Sequence, residues 1–156
     1  MLRRHPSRKT CLHEAGHAVI GVVLRVGVLN VCAWAYPRQC KQLDDDDWYE
    51  GWFVFRYQPH DDRRTQRCRS YRTRRATTLL AGRIAEKGRQ ADTRDQWEAR
   101  WLLKRPKRAM PSYRQCVARA SFLVKTHRPA IAAVAAALRQ RHRLSGSEVR
   151  EIVYGD

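Results

Sequence analysis

The chain has 156 residues and a formal net charge of +17 at pH 7, with 32 Lys and Arg against 15 Asp and Glu. Its length is sufficient for one domain with a hydrophobic core and argues against a second independent domain. The five cysteines are odd in number and form no Cys-x-x-Cys pair. This usage is typical of reduced thiols in the cytoplasm and not of a secreted disulfide framework.

The N-terminal segment is basic and lacks an apolar stretch, so residues 1–9 are predicted to be a tail and not a signal peptide. The apolar run at residues 18–35 is interrupted by Arg25, Gly27 and Asn30. It is therefore predicted to be a helix followed by a strand and not a membrane span. We expect a cytoplasmic protein without membrane insertion, in which residues 10–156 form a single domain.

The first helix is predicted at residues 10–24, where apolar side chains recur mostly on one broad face. Thr10 is a plausible N-cap, and Gly27 follows the last turn as a stop signal. Gly16 lies inside this helix, where glycine costs about 1 kcal/mol relative to alanine. We therefore expect Gly16 to have a packing or access role.

The same helix contains the pattern His-Glu-x-x-His. His13 and His17 are four residues apart and project from one helix face, so both imidazoles can bind one zinc ion. Glu14 follows His13 and can accept a proton from a water molecule that the metal activates. The alternative interpretation is a pair of buried histidines satisfied by hydrogen bonds.

Two strands are predicted after this helix, at residues 28–36 and 51–57, because both segments are rich in β-branched or aromatic residues. They can form a hairpin or ladder beside the first helix, and its edge could bind an extended peptide. The four aspartates at residues 44–47 lack the glycine and spaced ligands of an EF-hand loop. They are interpreted as a solvated acidic loop.

Five further helices follow in the predicted order. The first covers residues 67–87 and is closed by Gly88; the second begins at Asp92 as N-cap and is ended by Pro106. Residues 112–127 form the third, and Pro129 opens the fourth, which runs to about residue 141. A capping box at Ser145 and Glu148 begins a last short helix that ends near Tyr154. The predicted class is mainly α (α+β), with a two- to three-stranded β element beside the metal helix.

A catalytic zinc ion usually has three protein ligands and one open position, so two histidines are not sufficient. Asp92 and Asp95 fall at a predicted helix start, which favours a carboxylate and holds it rigidly. Both could equally serve only to cap that helix. Spacing does not choose among the downstream carboxylates, which are Glu50, Asp61, Asp62, Glu86, Asp92, Asp95, Glu98, Glu148 and Glu151.

Three segments, in this order, resemble the peptidase domain of the FtsH family of membrane-anchored, ATP-dependent zinc proteases. Residues 13–18 (His-Glu-Ala-Gly-His-Ala) are similar to its metal helix, and residues 81–86 (Ala-Gly-Arg-Ile-Ala-Glu) to its Gly-Gly-Arg-x-Ala-Glu segment. Residues 93–99 (Thr-Arg-Asp-Gln-Trp-Glu-Ala) are similar to its Ser-Asn-Asp-x-x-x-Ala stretch. The end of the chain, residues 129–148, is also similar, so the resemblance covers about residues 8–153.

The resemblance implies that Asp95 is the third zinc ligand. The phosphate-binding loop and the transmembrane helices of the family are absent from this sequence, residues 31–75 match poorly, and Ala81 replaces a glycine. We therefore expect an ATP-independent zinc metalloendopeptidase that acts on flexible or unfolded polypeptides. One zinc ion is bound by His13, His17 and Asp95, with Glu14 as general base.

The remaining expectations concern the role of Glu86 and the binding partners of the protein. Glu86 is expected either to orient an imidazole N–H of the site or to pair with an arginine. A separately encoded ATPase and a homo-oligomer are the further partners considered.

Arginine clusters at residues 63–75 and 100–108 support an alternative function. A basic protein of this kind can associate with nucleic acid or another acidic partner, with a structural zinc site or one that cleaves a bound repressor. The intact Glu14 favours a peptidase, because a structural zinc ion needs no general base. The basic surface is otherwise interpreted as a solvated face, since no RNA-binding motif or helix-turn-helix accompanies it.

Overall fold

A computed structural model describes residues 6–33, 51–55, 68–87, 94–104 and 110–155. These residues are mainly helical with one small antiparallel sheet, which confirms the predicted fold class. In chain order the elements are α1 (Arg8–Val23), β1 (Val28–Ala33), β2 (Gly51–Phe55), α2 (Arg69–Glu86), α3 (Arg94–Leu103), α4 (Tyr113–Thr126), α5 (Arg128–Arg141), β3 (Arg143–Ser145) and α6 (Gly146–Tyr154). None of the described helices combines the length and apolar character needed to cross a membrane.

Helix α1 lies at the centre of the described fold. It packs mainly against α2 and α5, and it also contacts β1 and α6. Every residue from Glu14 to Val22 is buried. This part of the helix is therefore buried on all sides, whereas an amphipathic helix buries only one apolar stripe. The His-Glu-x-x-His pattern therefore lies on a helix that is enclosed within the described part of the chain.

The start of α1 differs from the prediction. Ser7, and not Thr10, is the N-cap, and its Oγ accepts a hydrogen bond of 3.0 Å from the backbone N–H of Thr10. Both residue types are favoured N-caps, and the sequence pattern does not distinguish a start three residues earlier. Residues 8 and 9, predicted as part of the tail, are the first two residues of the helix.

The ends of α1 and α2 use left-handed residues that were only partly predicted. Gly27 has the positive φ expected of a stop signal, but Arg25 also adopts one. Lys87 directly after α2 is left-handed. The predicted stop signal Gly88 lies outside the described residues. Helix α3 begins at Arg94 and ends at Leu103; the predicted N-cap Asp92 and the predicted stop Pro106 lie outside the described residues.

The sheet has the strand order β2-β1-β3, and both pairings are antiparallel. The predicted pairing of the first two strands is confirmed: Val31 of β1 lies opposite Phe53 on one side and Leu144 on the other. The third strand was not predicted individually, because three residues are too few to show a period of two. The remainder of both predicted strands lies outside the described residues.

The C-terminal helices confirm the predicted start signals. Pro129 occupies the first turn of α5, and Ser145 with Glu148 forms the capping box of α6. Ser112 caps α4 in the same way, because its Oγ accepts from the N–H of Gln115 while the Gln115 side chain accepts from the N–H of Ser112. The described cysteines, Cys11, Cys32, Cys68 and Cys116, are all free.

The capping box of α4 allows a direct stability prediction. We expect Ser112→Ala to lower the free energy of unfolding by about 1 kcal/mol, because it leaves the backbone N–H of Gln115 without its side-chain acceptor. Ser121→Ala, on the exposed side of the same helix, is the matched control and should cause no loss, since alanine has the higher helix propensity. Urea denaturation followed by far-UV circular dichroism measures both; an equal effect of the two changes would contradict the prediction.

Candidate metal centre

One turn of α1 supplies three of the predicted site residues. His13 and His17 project from the same side of the helix, and their rings meet edge to face with centroids 4.6 Å apart. Glu14 lies between them in sequence and is buried. The predicted common face of the two imidazoles is therefore present in the structure.

Asp95, from the first turn of α3, completes a group of three donor atoms. Its Oδ2 lies 3.2 Å from Nε2 of His13 and 3.1 Å from Nε2 of His17, while the two Nε2 atoms are 3.0 Å apart. The three atoms thus form a nearly equilateral triangle, in which Asp95 lies 82 and 78 positions after the two histidines along the chain. This group could hold a metal ion.

The protonation of the rings explains why the triangle favours a cation. Nδ1 of His17 lies 2.9 Å from the carbonyl oxygen of Thr78, which can only accept, so Nδ1 carries the proton and Nε2 of the neutral ring presents a lone pair. Nδ1 of His13 similarly faces Oε2 of Glu86 at 3.5 Å. Three acceptor atoms therefore meet at about hydrogen-bond distance, and only a proton or a metal ion can lie favourably among them.

The surrounding charges act in the same direction. Burial lowers the pKa of His13, but the carboxylates of Asp95 and Glu86 outweigh this effect and raise it to about 10. Burial raises the pKa of Asp95, yet the two imidazoles outweigh it and hold this pKa well below its usual range. Asp95 is therefore a carboxylate at neutral pH, and the group as a whole attracts positive charge.

Helix α2 contributes no donor atom to the triangle but orients both imidazoles. The Thr78 carbonyl fixes the ring of His17, and Glu86 lies beside the ring of His13. A second contact fixes His17: a side-chain carbon placed on Gly82 would lie 2.4 Å from Nε2 of that ring. The ring of His17 therefore packs directly on the backbone of α2, where only glycine leaves sufficient room.

Gly16 has the packing role expected from the sequence. A Cβ at this position would lie 2.8 Å from the carbonyl oxygen of Ala81 and 3.0 Å from the Cα of Gly82. Real Cβ atoms tolerate neither contact without movement of the backbone. Gly16 on α1 and Gly82 on α2 thus form one close helix crossing, which brings α2 within reach of the imidazoles.

Glu14 is the second buried carboxylate of the site and has a different environment. It is 6% exposed, and its Oε2 makes no hydrogen bond among the described residues. Burial raises the pKa of Glu14 to about 7, against the opposing effect of His17 and His13. A carboxylate with a pKa near neutrality can both accept and return a proton.

The other carboxylates considered as metal ligands are placed elsewhere or are not described. Glu98 accepts a hydrogen bond of 2.9 Å from Arg75, and Glu148 caps α6. Glu151 is exposed on the same helix as Glu148. Asp92, Glu50, Asp61 and Asp62 lie outside the described residues.

Glu86 was considered from the sequence, but sequence reasoning missed the other residues of α2 that contact the site or α3. Thr78 acts through its backbone carbonyl, so no side-chain pattern could reveal it. Gly82 falls within the segment that resembles the FtsH family, but the resemblance alone did not indicate its contact with His17. Arg75 carried no signal, because it lies inside a run of arginines that was interpreted as basic surface.

A comparison with known protein families finds no match to this chain, and a comparison with curated proteins finds no similar sequence. The resemblance to the FtsH family therefore remains a prediction from the three segments and the C-terminal run. The chemical interpretation of the site depends on its geometry.

The two glycines of the helix crossing should respond differently to the same substitution. In Gly82→Ala the new methyl group meets the His17 side chain, which can rotate away; we expect a folded protein that loses most of its metal affinity. In Gly16→Ala the methyl group meets the backbone of α2, so we expect lower stability as the main effect. Metal titration and thermal denaturation of both variants measure this difference; full metal affinity in Gly82→Ala would contradict it.

Proposed function

We propose that this protein is a zinc metallopeptidase. The observation that supports this most directly is the convergence of the His13, His17 and Asp95 donor atoms beside the buried Glu14, whose Oε2 has no described partner. A structural zinc ion is usually closed by four protein ligands and needs no general base beside it. The orphaned Glu14 oxygen is explained if it receives a proton during a reaction.

The donor set and its dimensions favour zinc among the metals that the group could hold. Two imidazole nitrogens and one carboxylate oxygen match the ligand preference of zinc, and three protein ligands are typical of its catalytic sites. Tetrahedral zinc, with bonds of about 2.0–2.1 Å, separates neighbouring ligand atoms by about 3.3 Å. The observed separations of 3.0 to 3.2 Å are close to this value.

The proposed reaction is the hydrolysis of a peptide bond. Zinc bound at this site would supply Lewis acidity, which makes water a nucleophile at neutral pH and polarises the scissile carbonyl. Glu14 accepts the proton of the attacking water and transfers it to the leaving amine. His13, His17 and Asp95 hold the ion, and the Thr78 carbonyl and Glu86 keep the imidazoles in the productive orientation.

The proposed substrates are flexible or unfolded polypeptides. A flexible chain can present an extended backbone to the site without prior unfolding. Because metal-assisted hydrolysis of such a chain consumes no nucleotide, we propose that cleavage proceeds without ATP.

Glu14→Gln tests the proposal. The change preserves the shape of the side chain but removes the general base, so we expect cleavage of casein or an unfolded peptide to fall by about 100-fold or more. Zinc content, measured by elemental analysis of the same samples, should remain at one ion per chain. The assays contain no nucleotide, and removal of the metal by a chelator should abolish the activity of the parent protein.

Two controls separate the base from the metal ligands. Asp95→Ala should lose both zinc and activity, whereas Glu151→Gln removes an exposed carboxylate of α6 that is not a proposed ligand and should retain zinc-dependent cleavage. Equal cleavage by the parent and by Glu14→Gln would contradict the mechanism. Unchanged zinc content in Asp95→Ala would contradict the ligand set.

A second candidate function, the binding of single-stranded nucleic acid, has one specific observation in its favour. Four exposed residues lie along one side of α3 and at its C-terminal end: Arg94, Trp97, Arg100 and Lys104. Trp97 is 66% exposed between these cations, and the guanidinium of Arg100 lies 4.8 Å from the ring centre of Tyr113. Aromatic side chains among cations can stack on bases while the cations contact phosphates.

Trp97→Ala tests this second function. We expect it to weaken the binding of a labelled single-stranded oligonucleotide by about tenfold, because one stacked base contributes about 1–3 kcal/mol. Tyr154→Ala, which removes an exposed aromatic side chain from α6, is the matched control and should have no effect. Fluorescence anisotropy at several salt concentrations measures both variants. Affinity in Trp97→Ala that equals the parent, or binding that is insensitive to salt, would contradict this function.

A further inference from the structure

We propose that Arg75 is a positioning residue for the metal centre: through its ion pair with Glu98 it fixes helix α3 against α2 and thereby places the carboxylate of Asp95. The inference rests on the proposed ligand role of Asp95. It assigns to the Arg75–Glu98 pair a function that neither the zinc motif nor the resemblance contains.

The first step concerns the weak apolar anchoring of α3. This helix has 10 residues, and only Gln96, Ala99 and Leu102 are buried. Leucine is the one large apolar side chain among the three. Trp101 and Leu103 also pack against the core but are only partly buried. Because apolar contacts are non-directional, these side chains hold α3 against the core without fixing its position to a fraction of an ångström.

The second step concerns the ion pair itself. Arg75 on α2 is 1% exposed, and its Nη2 donates a hydrogen bond of 2.9 Å to Oε1 of Glu98. A guanidinium this deeply buried is costly unless it is paired, and its planar group has a strict directional preference. Glu98, and with it one turn of α3, is therefore held at a defined point along α2.

The third step connects that point with the ligand. Asp95 precedes Glu98 by three residues, which is about 4.5 Å along a helix axis. One turn beyond Glu98, Arg72 of α2 donates to the carbonyl oxygen of Trp101 at 3.5 Å. Two arginines on successive turns of α2 thus donate hydrogen bonds to successive turns of α3. Asp95 lies one turn before Glu98, which accepts the shorter of the two hydrogen bonds.

The same helix α2 also orients the two histidines. The Arg75 that fixes α3 lies one turn before Thr78, whose carbonyl holds His17, and α2 continues to Gly82 and Glu86. The three donor atoms come from α1 and α3. Both of these helices are positioned by contacts with α2. Displacement of α3 along α2 would separate Oδ2 of Asp95 from the two Nε2 atoms.

A double-mutant cycle distinguishes positioning from simple stabilisation. Glu98→Ala, Asp95→Ala and the double variant are prepared as full chains, and zinc affinity is measured by competition with a chelating indicator. Glu98→Ala should weaken zinc binding by about 10-fold or more, the range found when groups that orient ligands are removed. In the Asp95→Ala background the same change should have no further effect, because the ligand through which Glu98 acts is absent.

The visible spectrum of the cobalt-substituted protein provides a second reading. In Glu98→Ala we expect the spectrum to shift toward that of Asp95→Ala, since both variants lack a properly placed carboxylate. Glu98→Gln retains an acceptor oxygen for Arg75 and should show a smaller loss of affinity; it carries the test if Glu98→Ala does not fold. Val149→Ala, a buried change on α6, is the control for lower stability without displacement of α3.

The possible contrary results are distinct. Zinc affinity of Glu98→Ala and Glu98→Gln within twofold of the parent would overturn the positioning role, as would additive losses in the double variant or an equal loss in Val149→Ala. Full zinc affinity in Asp95→Ala would show that Asp95 is not a ligand and would overturn it as well. A parent protein that binds no zinc at all would instead remove the proposed metal centre itself.

Discussion

The close crossing of α1 and α2 is the constraint on which the site depends. Gly16 and Gly82 let the two backbones approach until the ring of His17 lies on α2 itself. At that separation the Thr78 carbonyl reaches one imidazole and Glu86 lies beside the other. A larger side chain at Gly16 would push the two helices apart, whereas one at Gly82 would displace the ring of His17. Either change would separate the histidines from the groups that determine their orientation and protonation.

The electrostatic character of the site follows from this enclosure. When neutral, both imidazoles present lone pairs to the same point as a carboxylate, so the group attracts a positive charge, either a proton or a metal ion. Glu14 lies beside it, buried and without a described partner for one oxygen. In a solvated loop such an arrangement would be unremarkable, because water would satisfy each group. Inside the helical core it favours the binding of a cation and keeps a carboxyl group ready to exchange a proton.

The predictable part of the site is the part that is local in sequence. His13, Glu14 and His17 follow from helical periodicity, since four residues make about one turn. Asp95 was reached through a resemblance, because spacing left nine carboxylates open. Thr78 and Arg75 were not predicted: one acts through its backbone, and the other is a buried arginine in a segment that composition indicates to be surface. The start of α1 was predicted three residues too late, at Thr10 instead of Ser7. Both residue types are favoured N-caps, so the sequence pattern does not distinguish them.

Helix α2 illustrates how function can determine the composition of a core. It is buried at Arg72, Arg75, Thr77 and Thr78, positions where leucine or valine would bury more apolar surface. The two threonines donate their hydroxyls to carbonyls one turn earlier, and Thr77 also hydrogen-bonds the thiol of Cys116 on α4. The two arginines both reach α3. An apolar replacement of the pair could make the fold more stable. It would also remove the directional contacts that define where α3 lies, and apolar packing, which tolerates small shifts, would not restore them.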